Sequence, residues 1–527
     1  MPAESVLSQI KALVVGRPIP SHLAHHERLS RVTGLAVLSS DPLSSVAYAT
    51  EEILRVLVLA GAVALTFSSP IAFVIAAILA IVVFSYRQTI YAYPNGGGAY
   101  IVAKDNIGPA AAQVAAAALL IDYVLTVSVS IAAGVAAITS ALPDWHVNRV
   151  DLAIGFVVVL ALGNLRGVRE SGRIFALPTY FFIVSILTMV GIGMWKVFAG
   201  TTQLLPPPAD PVHALGSSVT LLLLLTAFSN GCTAMTGVEA VSNGVPAFKP
   251  PEPRNAAATL IAMAGISIAM FLGITLLSRA YQVMPSETET VVSQLARGVF
   301  DGRGIPYFAV QSATMLILVL AANTAYADFP RLSSIIARDR YLPRQFMNQG
   351  DRLAFSNGII VLSVFAVLLL VVFGGDTHAL IPLYMIGVFL SFTLSQAGMV
   401  IHWRRLRTPG WRASAVVNGV GGIVTGIVLV VVAITKAHEG AWIIMLLIPL
   451  LVLFFRMTHR HYGAVAAQLR LAGAEEPDTP RHNAVVVPIS GMQRAVVRAL
   501  DYAKTLSPDV RAVYVDVFDE LQQRFEQ

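Results

Sequence analysis

Charge is scarce in this chain. Only 13% of its 527 residues are Asp, Glu, Lys or Arg, whereas 56% are hydrophobic and the mean hydropathy is +0.71. Soluble chains carry about 25% charged residues. A soluble chain of this length would form roughly three or four domains, and so few charges could not keep their surfaces wet. The composition is that of an integral membrane protein. Cysteine is nearly absent: a lone Cys232 excludes an intramolecular disulfide and any multi-cysteine metal site. An apolar leader is also missing, because residues 1–31 place His22, His25, His26 and Glu27 where a signal peptide needs an apolar core. The net charge of +6 and pI near 9.4 would suit nucleic acid, but the sign has meaning only once it is located.

A membrane-crossing helix needs about 20 mostly apolar residues. Twelve segments qualify, near 32–60, 68–92, 108–142, 148–165, 174–198, 216–246, 255–281, 305–338, 356–374, 378–402, 415–435 and 440–458. With the N-terminus inside, the cytoplasmic loops hold twenty Lys and Arg, including Lys104, Arg166, Arg254, Arg340 and Arg404, against seven outside. Basic residues favour the cytoplasmic face, so both termini are expected there and nucleic acid is not needed to explain the charge. The organisation expected is a cytoplasmic segment 1–31, a membrane domain 32–458, a polar linker 459–482 and a small domain 483–527. In the last, Ala484–Ile489, the stretch 491–506 and Val510–Asp516 read as strand, helix, strand.

Two spans are interrupted. The first reads Ser39-Ser-Asp-Pro-Leu-Ser-Ser-Val-Ala-Tyr48, with a proline that cannot donate to a helical ladder. The sixth reads Ser229-Asn-Gly-Cys-Thr-Ala-Met-Thr-Gly-Val-Glu239. Interruptions at matching places in two halves point to inverted repeats, with substrate bound where the broken helices meet. Asp41 lies in the first break, Glu239 follows the second, and Asp122 lies inside the third span. A carboxylate at membrane depth costs at least about 2.5–3.5 kcal/mol on insertion scales, which marks such groups as functional. Asp122, Thr126 and Ser130 are spaced by four and share one helix face, with Tyr123 beside it. Thr126 and Ser130 alone would also suit packing between helices.

The chemistry of the first break favours a cation. A site for a carboxylate offers unpaired N–H groups at half-helix N-termini, whereas this break offers Asp41 and a proline. Carboxylates and hydroxyls are hard oxygen ligands suited to an alkali ion. The rival is an amino acid or amine whose ammonium pairs with Asp41, its carboxylate held at Gly231 and Gly237. Tyr384, at membrane depth in the tenth span, either packs or offers its hydroxyl. Pro94-Asn-Gly-Gly-Gly-Ala-Tyr100 lacks the Lys-Ser/Thr of a phosphate loop and reads as a tight turn beside a gate. Cys232 reads as a packing residue, and His459 and His461 as a solvated face.

Four motifs carry a family resemblance: Ser39-Ser-Asp-Pro-Leu-Ser-Ser-Val-Ala-Tyr-Ala-Thr-Glu-Glu-Ile53, Tyr93-Pro-Asn-Gly-Gly-Gly-Ala-Tyr100, Asp122-Tyr-Val-Leu-Thr126 and Tyr326-Ala-Asp-Phe-Pro-Arg331. Over roughly 30–458 the chain resembles the KimA-type potassium importers, members of the amino acid–polyamine–organocation superfamily related to the KUP transporters. The resemblance implies an all-α polytopic membrane protein of about twelve helices: a LeuT-type 5+5 inverted repeat plus two helices, with a small cytoplasmic α/β appendage. It implies proton-coupled potassium uptake across a bacterial plasma membrane, with no cofactor and no enzymatic reaction. The pathway residues carry over as Asp41, Tyr48, Asp122, Tyr123, Thr126, Ser130, Thr236, Glu239 and Tyr384. Potassium is expected at Asp41, Tyr48, Asp122, Thr126 and Thr236, and the proton on Glu239 or Asp122. The resemblance also implies a homodimer held through the C-terminal domain and control by cyclic di-AMP, although that domain is short here. The alternatives are an amino-acid or polyamine permease and a non-transporting membrane sensor.

Overall fold

The computed structural model describes residues 28–96, 98–166, 172–208, 210–212, 218–350, 354–468, 484–489 and 493–514. Residues 1–27, most of the expected linker, and the basic residues Arg169 and Arg352 lie outside that set. The chain forms two units, Met1–Tyr462 and Gly463–Gln527.

The first unit is helical. Its first span is made of α1 (Arg31–Leu38) and α2 (Ser40–Leu57), followed by α3 (Ser68–Ala92), the short α4 (Ala99–Asn106), α5 (Pro109–Ala141), α6 (Arg149–Leu165) and α7 (Gly172–Phe198). A second interrupted span, α8 (Leu221–Gly231) with α9 (Val238–Asn243), precedes α10 (Glu252–Ala280) and the short α11 (Val291–Val299). Then come α12 (Ile305–Arg338), α13 (Ser356–Val372), α14 (Thr377–Leu406), α15 (Trp411–Lys436) and α16 (Ala441–Gln468). Among the described residues nine spans are long and apolar enough to cross a membrane. The other three expected are the interrupted α1–α2 pair and the 17-residue helices α6 and α13.

The helix pairings repeat. α3 packs on α10 and α5 on α12; α7 lies on α12 as α14 lies on α5; α4 sits on α5 and α14 as α11 sits on α12 and α7. Each group has five spans, an odd number, so the second enters the membrane from the side opposite to the first. Small residues allow the central approach: Ala115 to Ala118 on α5 are fully buried, and a Cβ on Gly387 of α14 would stand 3.0 Å from the Ala118 carbonyl. On the periphery, Ile423, Ile427, Val430 and Ile434 form an exposed apolar stripe along α15, as expected against lipid.

The breaks fall close to where the sequence places them, with one correction. The first interruption is at Ser39 (φ −114°, ψ 3°) rather than at Pro42. Pro42 occupies the first turn of α2, where a missing N–H has no partner to lose. In the second span α8 gives way to a tight turn over Cys232–Met235, an extended Thr236 and then Gly237 at φ +74°. Cys232 is fully buried.

In the second unit β1 (Ala484–Ile489) and β2 (Asp509–Tyr514) pair in parallel, Ala484 opposite Asp509 and Ile489 opposite Tyr514. The crossover helix α17 (Arg494–Leu506) packs on both strands, the strand–helix–strand order read from the sequence.

A Cβ on Gly237 would lie 2.6 Å from both Asp41 Oδ2 and Pro42 Cδ, and the left-handed backbone there disfavours any other residue. Gly237→Ala should therefore destabilise by about 1–3 kcal/mol or more, the cost of overpacking, read as a lower melting temperature in detergent. An unchanged melting temperature would show that the two breaks are not in close contact.

Candidate functional site

The interruptions exist because polar side chains and glycine replace the apolar residues of a continuous span, and their partners lie in the other break. Ser45 Oγ of α2 is 2.6 Å from Thr236 Oγ1, and Tyr48 OH donates to Ser45 Oγ at 3.1 Å. Thr236 donates to the Thr233 carbonyl at 3.0 Å, which leaves Ser45 to donate to Thr236 or to the Asp41 carbonyl 3.0 Å away. Tyr48 and Thr236 thus hold the breaks together, each keeping a lone pair.

Beside this contact is a cavity lined by Asp41, Asp122, Tyr123, Thr126 and Glu239, with Asp328, Thr324, Asn243 and Ser391. Its volume, measured to the centres of water-sized particles, is about 20 Å³, room for one or two waters or a dehydrated ion at about 10–15 Å³ each. Four carboxylates line this space, and among the described residues no Lys, Arg or His lines it. Like charges around one small cavity in low dielectric repel, so the group demands cations or protons. Asp122 Oδ1 is buried with no hydrogen-bond partner among the described residues, a free acceptor. Thr126 donates to Tyr384 OH at 3.1 Å, joining α5 to α14.

Glu239 closes one side. Its Oε1 accepts from Ala99 N at 2.9 Å and its Oε2 from Ser391 Oγ at 3.3 Å. The glycine turn before α4 is therefore a seat beneath α9: a Cβ on Gly98 would strike Asn243 Oδ1 at 2.4 Å. The far side of α4 is tied by Tyr100 OH and Lys104 Nζ, which donate to Asp339 Oδ2 at 2.5 and 2.6 Å.

Five of the nine sequence-derived residues line the cavity: Asp41, Asp122, Tyr123, Thr126 and Glu239. Tyr384, Tyr48 and Thr236 adjoin it through the bonds above. Ser130 is buried one turn beyond Thr126 and is not among the lining residues. Asp328, Thr324, Ser391 and Asn243 were not in the sequence-derived set. Asp328 carried a usable signal, as an acidic residue inside an apolar span and four positions from Thr324 on the same helix face.

Ser45→Ala would leave the Tyr48 and Thr236 hydroxyls without their shared partner. An unsatisfied buried group costs about 1–3 kcal/mol, so the detergent melting temperature should fall, whereas Ser45→Thr should hold it.

Comparison with known proteins supplies the lineage. Residues 29–455 match the amino acid permease family and residues 480–527 match the KimA potassium transporter C-terminal domain. The chain is 46% identical over 523 residues to potassium transporter KimA of Bacillus subtilis, covering 98% of this chain and 84% of that one. It is 23% identical over 274 residues to the low-affinity putrescine importer PlaP of Escherichia coli, covering 50% and 57% of the two chains. The chain belongs to the amino acid permease family of membrane transporters, in the lineage of the KimA potassium transporters, and is not an enzyme.

Proposed function

We propose that this protein imports potassium by proton symport across the bacterial plasma membrane, working by alternating access with both termini in the cytoplasm. The observation that carries this reading is the convergence of Asp41, Asp122, Glu239 and Asp328 on a cavity of atomic size without a basic side chain among its lining residues. The likeness to a potassium transporter supports the same cargo. Asp41, Asp122, Thr126, Tyr48 and Thr236 supply the hard oxygen ligands, with the ion entering at the unpaired Asp122 Oδ1. Tyr123, Ser130 and Tyr384 line or support the path, and Glu239 or Asp122 carries the proton. Glu239 suits coupling because its carboxylate holds the start of α4, so protonation would weaken the Ala99 contact and loosen the cytoplasmic seat. Residues 480–527 match the KimA potassium transporter C-terminal domain, and by that resemblance we propose for them a dimer contact and control by cyclic di-AMP.

Energetics favour coupling. A thousandfold potassium gradient opposes uptake by about 4.1 kcal/mol, and 100 mV supplies about 2.3 kcal/mol per charge. A co-transported proton adds a second charge and its own gradient. The polyamine reading, which the match to a putrescine importer raises, fits poorly in a cavity of about 20 Å³.

Rubidium or potassium uptake into proteoliposomes should be measured with and without an inward proton gradient. Uptake should rise with the gradient, and if neither ion moves while an amino acid or putrescine does, the cation assignment is wrong. Asp122→Ala should reduce ion flux at least tenfold while the protein stays monodisperse; unaltered flux would demote the oxygen ladder on α5 to packing.

A further inference from the structure

A second buried titratable cluster lies away from the cavity. Glu51 and Glu52, near the end of α2, face His378 at the start of α14. His378 Nδ1 is in hydrogen-bond contact with Glu52 Oε1, and its Nε2 stands 3.5 Å from Glu51 Oε1. The carboxylates are almost wholly buried, with 4% and 2% side-chain exposure, whereas the imidazole is 27% exposed. His378 and Glu51 line a pocket of about 60 Å³, and Glu52 is not among its lining residues.

The surrounding groups are defined on every side. From α8, Asn230 Nδ2 donates to Glu52 Oε2 at 3.0 Å, and from α11 the Val291 N–H donates to Glu51 Oε2 at 3.1 Å. From α2, Arg55 pairs with Glu287 at 3.0 Å. Asp376 caps the helix of His378, and Arg149 and Glu289 line the same pocket. Of the two groups that hydrogen-bond the buried Glu52 among the described residues, Asn230 and His378, only the imidazole lines the pocket.

Glu52 also begins a polar stripe. Glu52, Tyr48, Ser45 and Asp41 are spaced four, three and four residues apart, which places them on one face of α2. Tyr48 donates to Ser45, and Asp41 lines the cavity. With the N-terminus inside, this stripe runs from the external end of the first span to the ion site.

We propose that His378 and Glu52 are the external proton-entry pair of the transport path, an inference that rests on the symport reading. His378 starts neutral with its proton on Nδ1. Nε2 takes a proton from external water, and the Nδ1 proton passes to Glu52 Oε1. Glu52 becomes a neutral acid and passes its proton inward, while the ring is left neutral with its proton on Nε2. It resets by turning to the pocket, where Nε2 gives its proton to water and Nδ1 takes one from water before the ring returns to Glu52.

The test uses the full-length protein in proteoliposomes containing a pH dye. Wild-type protein should show potassium-driven proton influx that increases with external acidity. His378→Gln should lose that influx at least tenfold, while rubidium exchange at equal pH on both sides stays within about twofold, because exchange needs no net proton entry. Influx at the wild-type level in His378→Gln would overturn the entry role alone. Joint loss of influx and exchange in a monodisperse protein would also overturn it, making the cluster a structural clamp. Wild-type protein that moves potassium without protons would overturn the symport reading and this proposal with it. If His378→Gln is not monodisperse, Glu52→Gln, which keeps the side-chain shape, is judged by the same outcomes.

Discussion

Carboxylates held at membrane depth constrain everything else in this molecule. Asp41, Asp122, Glu239 and Asp328 arrive on four different helices, and each would be costly in an apolar medium without a cation, a proton or a hydrogen bond. The fold meets that requirement by interrupting two spans at the same depth. Backbone N–H groups and serine and threonine hydroxyls, absent from a continuous apolar helix, then become available. Glu239 takes a backbone N–H from α4, and Asp122 keeps one oxygen free for a ligand. The interruptions are tolerated because they are buried against each other through Ser45, Tyr48 and Thr236.

Two short helices are held alike. Glu239 accepts from the first N–H of the short helix α4, and Glu51 accepts from the first N–H of the short helix α11. These short helices occupy equivalent places in the two five-span groups, each lying across a pair of long helices. A buried carboxylate at the start of each ties a broken span to its neighbour, where a change of protonation or occupancy alters a helix contact rather than a local side chain. On the proposed alternating-access reading, that contact is what would link binding chemistry to rocking of the bundle.

Much of this was legible in residues 30–458. Apolar runs of about 20 residues located the spans because the bilayer sets that length, and the serine-, glycine- and proline-rich stretches located the breaks. Asp41, Asp122 and Glu239 stood out because ionisable groups inside apolar runs are conspicuous. Asp328 was equally conspicuous but sits in a long span that also reads as an ordinary helix. The break position shifted from Pro42 to Ser39 because a proline in a first turn is compatible with helix, a distinction that composition does not carry.

What the sequence determined by itself is local: the length and polarity of each span, the places where a helix cannot continue, the strand–helix–strand order of the tail, and the identity of the buried acids. Only the tertiary structure decided which acids share a space. Asp41 and Asp328 are far apart along the chain, and their meeting depends on α2, α5, α9 and α12 approaching closely enough to enclose a cavity of about 20 Å³. That approach is set by contacts such as Gly387 against the Ala118 carbonyl and Gly237 against Asp41. The same holds for His378, whose partners Glu51 and Glu52 lie on another helix. Helical periodicity orders residues on one face, but the face they meet is chosen by packing between helices, and that is a property of the whole bundle.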